Sequence, residues 1–138
     1  PSTQQMYTER LLGLRVLVIE DDASVRQGML QLLEGWGCEC REGENIEDAL
    51  RLIADWPVQL LMSDYRLREH QTGGQVVRQV RAAMGAEIQA LIITGDTAPE
   101  RLREARDSGV PLLHKPVSPM QLYRAISDSV GMRALLDE

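Results

Sequence analysis

Long apolar runs are missing from this chain. None exceeds about five residues, far short of the roughly 18 that a membrane-spanning helix needs. No succession of basic, apolar and small residues marks a secretory leader. Cysteine is scarce: Cys38 and Cys40 stand two apart, which on a strand points both side chains the same way, too constrained for an easy disulfide. With no CxxC and no Cys/His cluster there is no support for a zinc site, and the two thiols read as reduced structural residues of a cytosolic protein. Positive charge is in deficit, 15 Lys and Arg against 21 Asp and Glu, for a net charge of −6. Such a surface repels phosphate backbones, which argues against direct binding of nucleic acid.

What is present suits one compact domain. The chain has 138 residues, 43% of them hydrophobic, enough for a real core. It begins at Pro1 rather than Met and is therefore read as a piece of a longer protein or a processed product. Residues 1–13 are mostly polar without a clear period and are read as a linker or frayed segment. "RVLVI" (15–19), "VQLLMS" (58–63) and "QALIIT" (89–94) are nearly continuous apolar runs, the pattern of strands buried on both faces of a parallel sheet. "CECRE" is a short polar strand expected near a sheet edge, and "VPLLH" is the last strand.

Helical spacing separates these runs. Val25, Met29, Leu32, Leu33 and Trp36 form one stripe, with Ser24 as cap and Gly35 and Gly37 closing it. Asn45 caps a helix carrying Ile46, Ala49, Leu50 and Ile53, which Pro57 stops from continuing. Val76, Val77, Val80 and Met84 mark a third helix. Thr97 with Glu100 predicts a capping box for a fourth, with Leu102 and Ala105 inward. Ser118, Pro119 and Gln121 open a fifth, striped by Leu122, Ala125, Ile126 and Val130; residues 132–138 read as a tail. Five strands alternating with five helices predict an α/β domain with a parallel sheet and helices on both faces. Trp36 and Trp56 fall at helix ends and read as packing; His114 and His70 read as exposed or packing residues.

In open α/β sheets, sites lie beyond the carboxyl ends of the strands, where strand order reverses. Past the apolar runs come Glu20, Asp21 and Asp22, then Asp64, then Thr94 with Gly95 and Asp96, then Lys115. Clustered carboxylates repel one another unless a cation sits among them. An oxygen-only set suits a hard ion, Mg2+ or Mn2+. Add an ammonium and a hydroxyl around one carboxylate, and the set becomes a receptor for a phosphoryl group. Asp64, alone at its strand end, is the candidate nucleophile, and an aspartyl phosphate the covalent state.

"VLVIEDD", "LLMSDYRL", "LIITGDT" and "LLHKP" resemble, in order and approximate spacing, the signatures of the response-regulator receiver domain of two-component signalling. The resemblance spans about Arg15 to Val130 and places the receiver at 14–131. It implies a flavodoxin-like doubly wound (βα)5 fold, a five-stranded parallel sheet in the order 2-1-3-4-5. It implies Asp64 as phosphoacceptor, with Glu20 and Asp21 organising Mg2+. Asp21 is aligned as the direct ligand because Arg26 keeps the family's offset from it. Asp22 becomes an auxiliary acid, the Arg66 backbone carbonyl a further ligand, Thr94 the switch hydroxyl and Lys115 the lysine that pairs with the phosphoryl group. The Lys115–Pro116 peptide is often cis in this family. The implied donor is a histidine kinase or a histidine phosphotransfer domain, with no nucleic-acid or membrane contact by the domain itself.

"LLGLRVLVIEDD" and "LLHKPVSPMQL" are similar to receivers at the carboxyl terminus of hybrid sensor histidine kinases, which implies a cytoplasmic domain tethered through a parent kinase. A free-standing regulator and an unphosphorylated receiver-like module are the alternatives. Two positions depart from the family. The aromatic residue usual three before the lysine is Leu112, and the chain has no Phe. The proline and glycine usual four and eight residues after the acceptor are Arg68 and Thr72, with Gly73 and Gly74 later, which predicts a one-residue insertion and a more mobile loop. A haloacid-dehalogenase-type phosphatase would need a second Asp two after the first, where Arg66 stands. A flavodoxin-like cofactor binder would need a phosphate-cradling loop where three acids follow the first strand.

Overall fold

A computed structural model of the chain describes residues 11–85, 88–95, 99, 100, 103 and 109–137, with the side chains of 132–137 left aside. Its strands are β1 (Arg15–Ile19), β2 (Glu39–Gly43), β3 (Leu60–Asp64), β4 (Gln89–Thr94) and β5 (Leu112–His114). They form one parallel sheet in the order β2-β1-β3-β4-β5, the expected flavodoxin-like arrangement. The helices are α1 (Ala23–Gly35), α2 (Ile46–Ile53), α3 (Gly73–Met84) and α4 (Pro119–Asp137). Between β4 and β5, Pro99, Glu100 and Arg103 are helical; Asp96, Thr97, Leu102 and Ala105 lie outside the described residues.

Alternation along each strand explains the continuous apolar runs. Successive side chains point to opposite faces, so a sheet covered on both sides needs apolar residues at every position. Val16, Val18, Leu60, Met62, Leu91 and Ile93 pack on one face, with Leu30 and Leu33 of α1 and Leu122 and Ile126 of α4. Leu17, Ile19, Leu61, Ala90 and Ile92 pack on the other, with Ala49 and Ile53 of α2 and Val76, Val77 and Val80 of α3. The polar strand β2 sits at the edge, where one side faces no further strand.

Four local features differ from the sequence expectation. The N-cap of α1 is Asp22, not Ser24: its Oδ1 accepts the Val25 N–H at 3.1 Å. An ionised cap is favoured at a helix N-terminus, where both the orphan N–H groups and the dipole are positive. The packed body reaches back to Leu11, which is fully buried, and Gly13 N–H donates to the Gly37 carbonyl at 2.8 Å. Helix α4 runs on through residues 132–137, where a tail is expected, because no proline or glycine after Gly131 stops it. Fourth, the segment after Asp64, a long polar loop in the sequence, forms a paired hairpin: Arg66 bridges Thr72, Leu67 N–H donates to the Gln71 carbonyl at 3.0 Å, and Gly73 N–H to the Tyr65 carbonyl at 2.8 Å.

Other caps follow expectation. Asn45 accepts from Asp48 N–H, and Ser118 and Gln121 exchange side-chain to backbone bonds in a capping box. Trp36 packs edge-on to Tyr123 with ring centres 5.2 Å apart, and the Arg41 guanidinium lies 4.8 Å from the Trp56 ring centre. Both cysteines are free. Burial pushes the Cys38 thiol up to about 11; burial, then the charges of Cys38, Glu34 and Glu42, push Cys40 up to about 12. Neither is a reactive thiolate near neutral pH.

Candidate functional site

The register of the sheet assembles the site. Ile19 pairs with Ser63, so Glu20 leaves β1 at the level of Asp64 on β3. Asp64 pairs with Ile93, which puts Thr94 one step beyond it; Thr94 pairs with His114, which puts Lys115 one step further still. These ends meet between β1 and β3, the point at which strand order reverses.

Oxygens of Glu20, Asp21 and Asp64 all lie within 4.8 Å of one another. Lys115 spans two of these acids, with Nζ 3.2 Å from Glu20 Oε1 and 3.3 Å from Asp64 Oδ1. Glu20 is 1% exposed, and its Oε2 is buried without a hydrogen-bond partner. A buried carboxylate oxygen with no donor is costly, and a hard cation is what satisfies it. The donor set therefore fits Mg2+ or Mn2+. Asp22 is used otherwise, as the α1 cap, and is not among the three clustered carboxylates.

Backbone geometry adds two features. The flanking bonds make Arg66–Thr72 a non-hydrogen-bonded antiparallel pair, so the Arg66 carbonyl is directed away from Thr72 rather than into the hairpin. Gly73 lies tight against the acceptor: a Cβ there would come 2.7 Å from the Asp64 carbonyl oxygen. By contrast, a Cβ on Gly95 would only touch Lys115 Cδ at 3.8 Å. Thr94 is buried at the rim and its carbonyl accepts the Lys115 N–H at 2.8 Å. The Lys115–Pro116 peptide is cis. Leu112 is half-buried against the α2/α3 side of the core, so no aromatic ring stands at that position of β5.

Arg26, noted in the sequence only for its spacing, is a structural clip. Its Nη1 donates to the Glu20 carbonyl at 2.7 Å and its Nε to Glu42 Oε1 at 3.0 Å, tying the end of β1 to the end of β2. The Lys115–Glu20 pair and the contact of Arg68 Nε with Asp21 Oδ2 at 3.5 Å are also absent from any local pattern. Both are made by residues far apart in the chain.

Electrostatics follow from this crowding. Burial first, then the Asp64 charge, raises Glu20 to about 7 against the Lys115 ammonium's opposing pull. Burial alone would lower Lys115, but Asp64 and Glu20 outweigh it and hold the ammonium above its ordinary range. A carboxyl whose pKa is higher folded than unfolded stabilises the fold fully below the unfolded value, near 4.5, and loses that contribution as pH rises through about 7. The loss is on the order of 3 kcal/mol. In chelator, the wild type is therefore expected to lose thermal stability between pH 5 and 8, and Glu20→Gln to lose distinctly less. Parallel melting profiles for the two proteins would contradict this.

Residues 16–127 match the response regulator receiver domain family. The chain belongs to that family. As a receiver it is 26% identical over 114 residues to the phosphate regulon transcriptional regulatory protein PhoB of Pseudomonas aeruginosa, covering 81% of this chain and 49% of PhoB. The chain thus spans about half the length of that relative. It is 29% identical over 120 residues to an uncharacterised 14.6 kDa protein of Leptolyngbya boryana, covering 86% of this chain and 91% of that one. Among solved structures, a receiver domain from Clostridium thermocellum superposes with a TM-score of 0.78 at 23% identity, covering 89% of this chain and 98% of the other. A CheY-like receiver from Methanospirillum hungatei gives 0.78 at 20% identity, covering 88% and 97%. Receiver domains act in two-component signalling, bind Mg2+ at an acidic pocket and interact with histidine kinases or phosphotransfer proteins. Among the described residues, no helix is long and apolar enough to cross a membrane.

Proposed function

We propose that this receiver takes a phosphoryl group from a phosphohistidine onto Asp64 in a Mg2+-dependent phosphorelay. The observation that carries this reading is the convergence of three carboxylates within 4.8 Å, with Lys115 spanning Glu20 and Asp64. Asp21, Glu20, Asp64 and the Arg66 carbonyl would hold the ion, with Asp22 occupied as a helix cap. When bound, Mg2+ would supply neutralising charge for the phosphoryl oxygens.

The chain's own residues do the rest. A carboxylate oxygen of Asp64 attacks phosphorus; the P–N bond to the donor imidazole breaks, and the nitrogen keeps the electron pair and is protonated by solvent. Lys115 is held charged and can follow the negative charge from the two carboxylates to a phosphoryl oxygen. The Thr94 hydroxyl donates to another. With Leu112 in place of an aromatic, the output is not carried by an aromatic rotamer at that position. The phosphoryl group would act by biasing a two-state equilibrium through contacts it makes in only one state.

The donor is read as a histidine kinase or a histidine phosphotransfer domain. The parent is read as a hybrid sensor kinase with this receiver at its carboxyl terminus, on the resemblance of "LLGLRVLVIEDD" and "LLHKPVSPMQL" to such receivers. On that reading the domain is cytoplasmic. Incubation with acetyl phosphate and Mg2+ is expected to add one phosphoryl group, removable by hydroxylamine and mapped by mass spectrometry to the peptide containing Asp64. No mass gain, or a gain mapped elsewhere, would refute the reading.

A further inference from the structure

The geometry points to a second role for the hairpin after β3: it delivers Arg68 as a built-in counter-cation that occupies Asp21 and competes there with the divalent ion. This rests on the metal site proposed above. The hairpin is well anchored. Besides its backbone pairs, Gln71 Oε1 accepts the Ile46 N–H at 2.9 Å, fastening the loop to the start of α2. Glu69 and His70, at φ 61° and 62°, turn the tip immediately beyond Arg68. The base of Arg68 is thereby fixed on the acid side of the rim, with its Nε 3.5 Å from Asp21 Oδ2.

The division of charge is specific. Lys115 is shared between Glu20 and Asp64, and Arg68 pairs with Asp21, so two cations face the three clustered acids. The two cations differ in environment. The Lys115 side chain is 32% exposed, whereas that of Arg68 is 77% exposed and can swing into water with little desolvation or packing loss. Arg68 therefore tunes the site rather than blocking it. An ion at Asp21 would meet the guanidinium beside it, whose charge repels a dication and competes for the same carboxylate. An exposed ion pair at the upper end of its usual strength corresponds to about a fivefold effect on an equilibrium constant. The interaction lies in solvent reach, so salt should screen it.

Calorimetric Mg2+ titrations of the full chain at low ionic strength test this, comparing the wild type with Arg68→Ala and Arg68→Lys. Removing the charge is expected to tighten Mg2+ binding about fivefold, while the lysine variant stays close to the wild type. The difference between wild type and the alanine variant is expected to shrink in high salt. Equal or weaker binding by Arg68→Ala would overturn the competition, the latter by showing that the guanidinium holds Asp21 in its binding position. If neither wild type nor variant binds Mg2+, the metal site itself is wrong, a result distinct from equal finite affinities. Because the Arg68 side chain is largely exposed, matching melting curves in chelator are expected to show that the fold is unchanged.

Discussion

Asp64→Asn is expected to abolish phosphoryl incorporation while leaving the metal-free fold as stable as before or more so. The amide has the shape of the carboxylate and can still accept a hydrogen bond from Lys115, but it cannot act as the nucleophile. Labelling by acetyl phosphate should fall by at least about a thousandfold, to the level of nonspecific modification. Stability should move the other way. The Asp64 charge faces a Glu20 carboxyl that burial and Asp64 together push up to about 7. Relieving that repulsion is expected to contribute about 1 kcal/mol, offset in part by the weakened pair with the partly exposed Lys115. Intact-mass labelling and thermal melts in chelator read the two effects separately. Undiminished labelling of the variant would remove Asp64 from the chemistry. A marked drop in its melting temperature would show that the Lys115 pair outweighs the repulsion.

Asp21→Ala is expected to weaken Mg2+ binding by about a hundredfold, with little change in the fold. Asp21 is 20% exposed, and its ion pair is the long contact to Arg68, an interaction worth at most about 1 kcal/mol. Its neighbour provides the control. Asp22 caps α1, so Asp22→Ala should cost about 1 kcal/mol of stability and leave Mg2+ affinity nearly unchanged. The two adjacent acids are thus predicted to fail in different assays. Mg2+ affinity of Asp21→Ala within a few fold of wild type, or a larger affinity loss in Asp22→Ala, would reverse the assignment of ligand and cap.

Lys115 links the two predictions. It pairs with both Glu20 and Asp64. Binding of an ion and arrival of a phosphoryl group would each change which oxygens it faces. The Arg26 clip works alongside it by fixing the Glu20 backbone, so that the buried carboxylate keeps its place whichever partner Lys115 has.

The sequence by itself determined the architecture and which polar residues stand at the rim. Continuous apolar runs such as "LLMS" can be satisfied only where both faces of a strand are covered, and that dictates a parallel sheet flanked by helices. The polar residues that follow those runs, Glu20, Asp64, Thr94 and Lys115, had to emerge at strand ends, because within the strands they would lie in the apolar core without polar partners. Local signals also sufficed for the Asn45 and Ser118 caps, since a cap bonds residues only three apart.

Tertiary structure decided what depends on distance across the sheet. Asp21 and Asp22 are chemically alike and adjacent, and only the path of the chain into α1 makes one a cap and turns the other toward Asp64. The pairing of Lys115 with Glu20 joins residues 95 apart, and register, not composition, sets it. Arg68 reads as one more surface charge until the hairpin, closed by its backbone pairs and held by Gln71, brings it to Asp21. Strand periodicity is written residue by residue, but an ion pair between strand ends exists only once the whole sheet has fixed its register.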